Sequence, residues 1–200
     1  MKTSEAIRTR RAVKHYDPDF TIPAKHEEEL NDLIRQSPTS FNLQNWRFVT
    51  VKDKAMRTQI REHAWNQAQI TDASLLYVIT ADLMAWDKDP ARYMINYPKE
   101  LSDTYVPMIK GFYCDADWQQ RDEAMRSAGI AAQTLMLSAT AMGYDSCPMI
   151  GFDSNAVGQL INLPKDHVVC MIVVIGKGIQ PPRPKGSYIA NEEVFITDRF

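Results

Sequence analysis

Three clusters in this 200-residue chain have residue types and spacings suited to binding chemistry. Arg8, Arg10, Arg11 and Lys14 set four cations within seven residues. Several cations converging on one point suit a compact dianion such as a phosphate monoester, through charge-assisted hydrogen bonds; an exposed basic helix end reads the same way. Ser37-Pro38-Thr39-Ser40-Phe41-Asn42-Leu43-Gln44-Asn45-Trp46 gathers hydroxyls and amides that can hydrogen-bond a sugar-like chain, and that equally favour a capping turn. In Cys147-Pro148-Met149-Ile150-Gly151-Phe152-Asp153, Gly151 permits close backbone approach, and Asp153 or Ser154 can cap a following helix. A plain strand-to-helix turn accounts for that segment as well.

The charge distribution favours a small anion over a polyanion. Residues 2–15 carry five basic groups against Glu5, and residues 177–185 carry Lys177, Arg183 and Lys185 with no acid. Removing those eight basic residues and one acidic residue from the totals of 23 and 25 leaves 15 and 24, so the positive charge is confined to the two ends of an acidic chain. Nucleic-acid binders usually carry a basic surplus across the domain. Three cysteines, Cys114, Cys147 and Cys170, match neither a CxxC pair nor a zinc knuckle. His15, His26, His63 and His167 lack ligand spacing, so no metal site is expected. The longest uncharged apolar run, Val168 to Gly176, is under half a bilayer span, and the N-terminal residues lack the apolar block of a signal peptide. A cytoplasmic single domain over residues 1–200, with no membrane and no nucleic-acid partner, is expected.

The elements that must position these clusters follow from apolar periodicity. Ser4 is the expected N-cap of a short helix ending near Arg10. Leu30, Leu33 and Ile34 mark a helix between Pro23 and Gln36, Trp46 to Lys52 reads as a strand, and Asp53 to Ala64 as a helix. Leu75 to Ala81 and Val168 to Ile175 are apolar on both faces and should be central strands covered by helices. Residues 82–117, broken by Pro90, Pro98 and Pro107, read as a helical excursion, lid-like over 84–113. A helix from Met125 to Met142 is apolar on every side, with Ile130, Ala131, Leu137 and Ala141 opposite its main face, which predicts a homodimer packed around it. Residues 177–200 form an extended arm ending in a short strand at Glu193 to Thr197.

Taken in order, these motifs resemble the flavin-dependent nitroreductase family over nearly the whole chain. The marks are Arg10 to Lys14, Ser37 to Trp46, Asn66 ahead of Asp72-Ala73-Ser74, Pro148 to Asp153, and Arg183 with Lys185. The resemblance implies an α+β fold with a mostly antiparallel central sheet flanked by helices, and a homodimer whose C-terminal arm crosses the interface. It implies FMN as cofactor, NADH or NADPH as hydride donor, and a nitroaromatic, quinone or similar small-molecule acceptor in a ping-pong cycle. Arg10, Arg11, Arg183 and Lys185 would clamp the phosphate, and Lys14 would sit at the flavin pyrimidine edge. Pro38, Thr39, Ser40 and Asn42 would face the ribityl chain and ring from the partner subunit, with Asn66 pairing to the ring. The backbone N–H of Ile150 or Gly151 would point at flavin N5, with Pro148 and Met149 on the ring face. Three positions depart from the family pattern: Ala12 stands at the phosphate-facing serine, Ile150 at a glutamate of some members, and Gln69 at a lysine linked in some to the nicotinamide cofactor. A flavin-based dehalogenase or dehydrogenase, or an anion- or nucleic-acid-binding module built on Arg8 to Lys14, are the alternative readings.

Overall fold

The computed structural model describes residues 1–200. In chain order the elements are α1 (Thr3–Thr9), α2 (Ala24–Ile34), β1 (Trp46–Thr50), α3 (Lys54–Glu62), α4 (Gln69–Asp72), β2 (Leu75–Asp82), α5 (Ala85–Lys88), α6 (Lys99–Tyr113), α7 (Asp117–Ala141), β3 (Asp145–Met149), α8 (Ser154–Leu160), β4 (His167–Gly176) and α9 (Asn191–Val194). The four strands form one antiparallel sheet in the order β1-β2-β4-β3. The two apolar runs are therefore the central strands, as their two-sided apolar character requires.

Period-two alternation divides each central strand between two cores. Leu76 and Val78 of β2, with Ile172 and Val174 of β4, face a layer containing Ile60, Ala64 and Val157. Leu75, Tyr77 and Ile79, with Val173 and Ile175, face Leu30, Ile34 and the Ala128–Ala139 side of α7. A register shift between Ile79 and Thr80 pairs Ile79 with Met171 but Thr80 with Val169. The extra residue, Cys170, reverses the alternation, and so odd-numbered Val169 joins the same core as Ile172. Burial pushes the Cys170 thiol up to about 12.

Several sequence expectations are corrected. Ser4 lies inside α1, and Lys2 occupies the cap position with no side-chain bond. Leu33 is exposed because only Leu30 and Ile34 fall on the buried stripe of α2. Residues 193–197 form no strand; α9 is a four-residue helical turn whose residues are exposed and pair with no sheet edge. The proline-broken excursion contains a regular 15-residue helix, α6, which tolerates Pro107 inside it. Its buried residues Ile109 and Tyr113 join Trp86, Met94 and Leu43 in a third apolar cluster, which seats the excursion on the Ser37–Trp46 loop. Along α7, Ala131 turns inward with Ala124, Ala128, Leu135 and Ala139, while Ile130 and Ala141 stay exposed. Met125, Gly129, Ile130 and Leu137 border an open groove of about 600 Å³, so the helix is buried on one side only within a single chain.

Candidate functional site

The segment after α1 runs along the outer edge of β3. Ala12 bridges Ser146 in parallel, with the Val13 N–H donating to the Ser146 carbonyl at 3.1 Å, and Tyr16 bridges Gly178. This pairing places alternate side chains of residues 10–14 beside the strand. Lys14 Nζ donates to Cys147 Sγ at 3.3 Å. Burial raises the pKa of the Cys147 thiol above its ordinary value, and the nearby charges of Lys14 and Arg10 pull it part of the way back. Arg10 and Lys14 therefore act on one spot.

Arg10, Arg11 and Ala12 line a groove of about 470 Å³ together with Gln133 of α7 and Lys185, Ser187 and Tyr188 of the arm. The Arg11 guanidinium donates to the Arg183 carbonyl, and Lys185 Nζ donates to the Arg8 carbonyl at 3.1 Å, so two ends of the chain separated by more than 170 residues meet here. None of Arg8, Arg10, Arg11, Lys14, Arg183 or Lys185 forms an ion pair, whereas Asp and Glu residues elsewhere pair with Arg47, Lys52, Lys88, Lys99, Lys110, Arg126 and Lys177. Clustered cations left without carboxylates repel one another and favour an anion between them. Arg183 enters the cluster through its backbone. Its carbonyl is fixed in the cluster, but its exposed side chain does not line the groove.

At the far end of β3 the chain turns through Ile150 and Gly151 into α8, whose N-terminus is capped by the Asp153 carboxylate accepting from the Asn155 and Ala156 N–H groups. Neither the Ile150 nor the Gly151 N–H has a partner in the chain, and the Ile150 side chain is 79% exposed. The Asn66 loop meets this turn: Gln67 Nε2 donates to the Gly151 carbonyl at 2.9 Å, and the Asp153 N–H donates to the His63 carbonyl. Trp65 and Asn66 both have left-handed φ, 52° and 57°. A Cβ on residue 151 would run into the Trp65 ring, so any other residue there requires the exposed indole to move aside. The exposed Asn66 amide is held by Arg61 Nε at 3.1 Å. Met149 departs from its expected place: it is 4% exposed and packed in the core beneath the sheet, so only its backbone faces the turn, while Pro148 is half-buried.

The Ser37–Trp46 loop lies elsewhere. Phe41, Asn42 and Gln44 adopt left-handed backbone, Thr39 Oγ1 accepts from the Gln44 N–H at 2.9 Å, and the Ser40 N–H donates to Glu123 of α7 at 3.3 Å. Glu123 and the groove residue Gln133 are ten positions apart on one helix, roughly 15 Å at 1.5 Å per residue. Pro38, Thr39, Ser40 and Asn42 thus do not converge on the groove within one chain.

Sequence spacing missed one cluster. Asp82 at the end of β2, with Asp166 and His167 at the start of β4, brings three metal-ligand-type atoms within 4.8 Å of one another. The Lys88 ammonium lies 2.7 Å from both carboxylates, and hydrogen bonds from Lys88 and His167 hold the Asp166 carboxyl at about 2. The 84-residue separation of Asp82 and Asp166 hides this pairing from any local pattern. Trp65, Gln133 and Ser187 were also unforeseen, although Trp65 adjoins Asn66 and Ser187 stands two residues after Lys185.

This architecture is shared with known proteins. The crystal structure of Bacillus subtilis ydfN superposes with a TM-score of 0.89 over 96% of each chain, at 29% identity. A protein from Exiguobacterium sibiricum, whose name proposes a nitroreductase and which was solved in complex with FMN, superposes at 0.88 over 98% of this chain and 96% of its own, at 24% identity, which speaks for the fold. In sequence, the DrgA protein of Synechocystis is 53% identical over 177 residues, 88% of this chain and 84% of that protein. The Bacillus subtilis protein MhqN, whose name proposes an NAD(P)H nitroreductase, is 31% identical over 90% of this chain and 91% of its own length. Residues 7–177 match the Nitroreductase family, and with this match the chain belongs to that family.

Proposed function

We propose that the protein is an FMN-dependent oxidoreductase that takes a hydride from NADH or NADPH and passes it through flavin N5 to a nitroaromatic, quinone or similar acceptor in a ping-pong cycle. The observation that carries this reading is the convergence of Arg10, Arg11 and Lys185, all without carboxylate partners, on one compact groove at the edge of β3. A groove of this size suits one phosphate-sized anion better than an extended nucleic acid. FMN supplies two-electron chemistry when bound.

The chain's own residues divide the remaining tasks. Arg10, Arg11 and Lys185 bind the phosphate. The N–H of Ile150 or Gly151, both unpaired within the chain, would meet the ring at N5. The Lys14 ammonium stabilises negative charge gained at the pyrimidine edge on reduction, which favours hydride acceptance. No side chain is assigned as a general acid or base. The protein should be yellow as purified, and NADH or NADPH should bleach its flavin absorbance anaerobically. A colourless protein that takes up no FMN overturns the assignment.

Lys14 can be tested separately. Lys14→Met in flavin-loaded protein is expected to lower the two-electron potential by some tens of millivolts, about 30 mV corresponding to about 1.4 kcal/mol. The potential is read against a reference dye, and the rate of reduction should fall more than FMN affinity does. An unchanged potential places Lys14 away from the ring.

We further propose a homodimer with shared sites. The exposed side of α7, with Met125, Gly129, Ile130 and Leu137, is the surface for a second copy, and the Pro38–Asn42 loop would reach the partner's site across it. Sedimentation at micromolar concentration should give roughly twice the 22.9 kDa chain mass. A monomer that still holds FMN removes the cross-subunit role of Thr39, Ser40 and Asn42.

A further inference from the structure

We propose that Ser187 supplies a hydroxyl to the phosphate in the groove, in place of the one that Ala12 lacks, and that the arm thereby closes as a strap over its own ligand. This rests on the FMN assignment above and adds a binding residue to it. Ala12 and Ser187 line the same groove as Arg10, Arg11 and Lys185, one from the segment beside β3 and the other from the arm. A phosphate monoester offers three terminal oxygens, each able to accept more than one hydrogen bond, so cations alone do not exhaust its acceptors. Ala12 offers no donor in its side chain. Ser187 brings one from the arm.

The strap follows from how the arm is fastened. Residues 180–190 are joined to the body of the chain by two hydrogen bonds, from the Arg11 guanidinium to the Arg183 carbonyl and from Lys185 Nζ to the Arg8 carbonyl. Both donors belong to side chains that line the groove. A guanidinium has five N–H donors and an ammonium three, so each can hold the arm and an anion together. Without an anion the same fastening holds the Arg10, Arg11 and Lys185 charges around one groove without a carboxylate, and their repulsion works against it. Phosphate reverses the sign of that interaction, and a bond to Ser187 extends the fastened stretch two residues beyond Lys185.

The test compares FMN with riboflavin, which lacks the phosphate, on wild type, Ser187→Ala and the double variant Ala12→Ser/Ser187→Ala. Dissociation constants come from flavin fluorescence quenching. Ser187→Ala is expected to weaken FMN about tenfold, the lower end for a hydrogen bond to a charged group, and to leave riboflavin unchanged. Ala12→Ser in that background should restore most of the loss. In wild type, FMN or millimolar inorganic phosphate should slow amide exchange over residues 183–188, and riboflavin should not. If wild type binds FMN and Ser187→Ala binds it equally well, or loses riboflavin to the same extent, the role of Ser187 is overturned while the FMN assignment stands. If FMN binds without slowing exchange in the arm, the strap is overturned. Wild type that takes up no FMN overturns both the assignment and the strap.

Discussion

Replacing Arg10 and Lys185 together by alanine is expected to weaken FMN binding by a hundredfold or more. Each side chain lines the phosphate groove from a different end of the chain, and neither is neutralised by a carboxylate, so the full charge of each is available to a ligand. A hydrogen bond from a charged donor contributes about 1.5 to 3 kcal/mol, and two lost contacts at the lower value amount to about 3 kcal/mol. Riboflavin affinity should change far less, because the loss is confined to the phosphate. Lys185 also fastens the arm through the Arg8 carbonyl, so Arg10→Ala alone separates ligand binding from fastening. A double variant that retains FMN through dialysis at the wild-type rate would show that the groove does not hold the phosphate.

Arg57→Met should lower the unfolding free energy by about 3 to 5 kcal/mol. Arg57 is 8% exposed, and its guanidinium donates to the carbonyls of Val51 at 2.8 Å, Ser74 at 2.9 Å and Ala73. Those carbonyls lie just after β1 and just before β2, so one side chain of α3 ties the ends of two paired strands. Methionine fills similar volume but leaves three carbonyls without donors, and each orphaned group in a buried setting costs about 1 to 3 kcal/mol. Arg57→Lys should fall between, since an ammonium lacks the planar fork that reaches three acceptors at once. Urea unfolding followed by circular dichroism checks the order. Equal midpoints for wild type and Arg57→Met would show that water replaces the guanidinium at no cost.

The same contrast between local and distant relations separates what was legible in the candidate site from what was not. The basic run at Arg10 to Lys14, the turn at Gly151 and the basic pair at Arg183 and Lys185 each announce themselves through residue type within a few positions. Their meeting does not. It depends on Ala12 pairing with Ser146 and on Arg11 reaching the Arg183 carbonyl, contacts between residues 134 and 172 positions apart. Met149 shows the converse: the Pro148–Asp153 motif marks it for the site, yet strand alternation turns its side chain into the core. Lys88 between Asp82 and Asp166 likewise joins elements that no local pattern connects.

By itself the sequence determined the central pair of strands, because runs apolar on both faces have no stable place except between two covered sides of a sheet. It determined the helical character of α2, α3 and α7, since apolar residues recurring at three and four steps can be buried together only on a helix. It also separated the positive charge from an acidic body. The tertiary structure decided which faces are used. The bulge at Cys170, the inward turn of Ala131 and the exposure of Leu33 and Ile130 all depend on which neighbour lies across the gap, and periodicity carries no information about that neighbour. It also decided that the cations of the two termini share a groove without carboxylates, because α1 and β3 pack against α7 and the Arg11 and Lys185 side chains donate to backbone carbonyls across the gap, contacts that offset the repulsion among the charges.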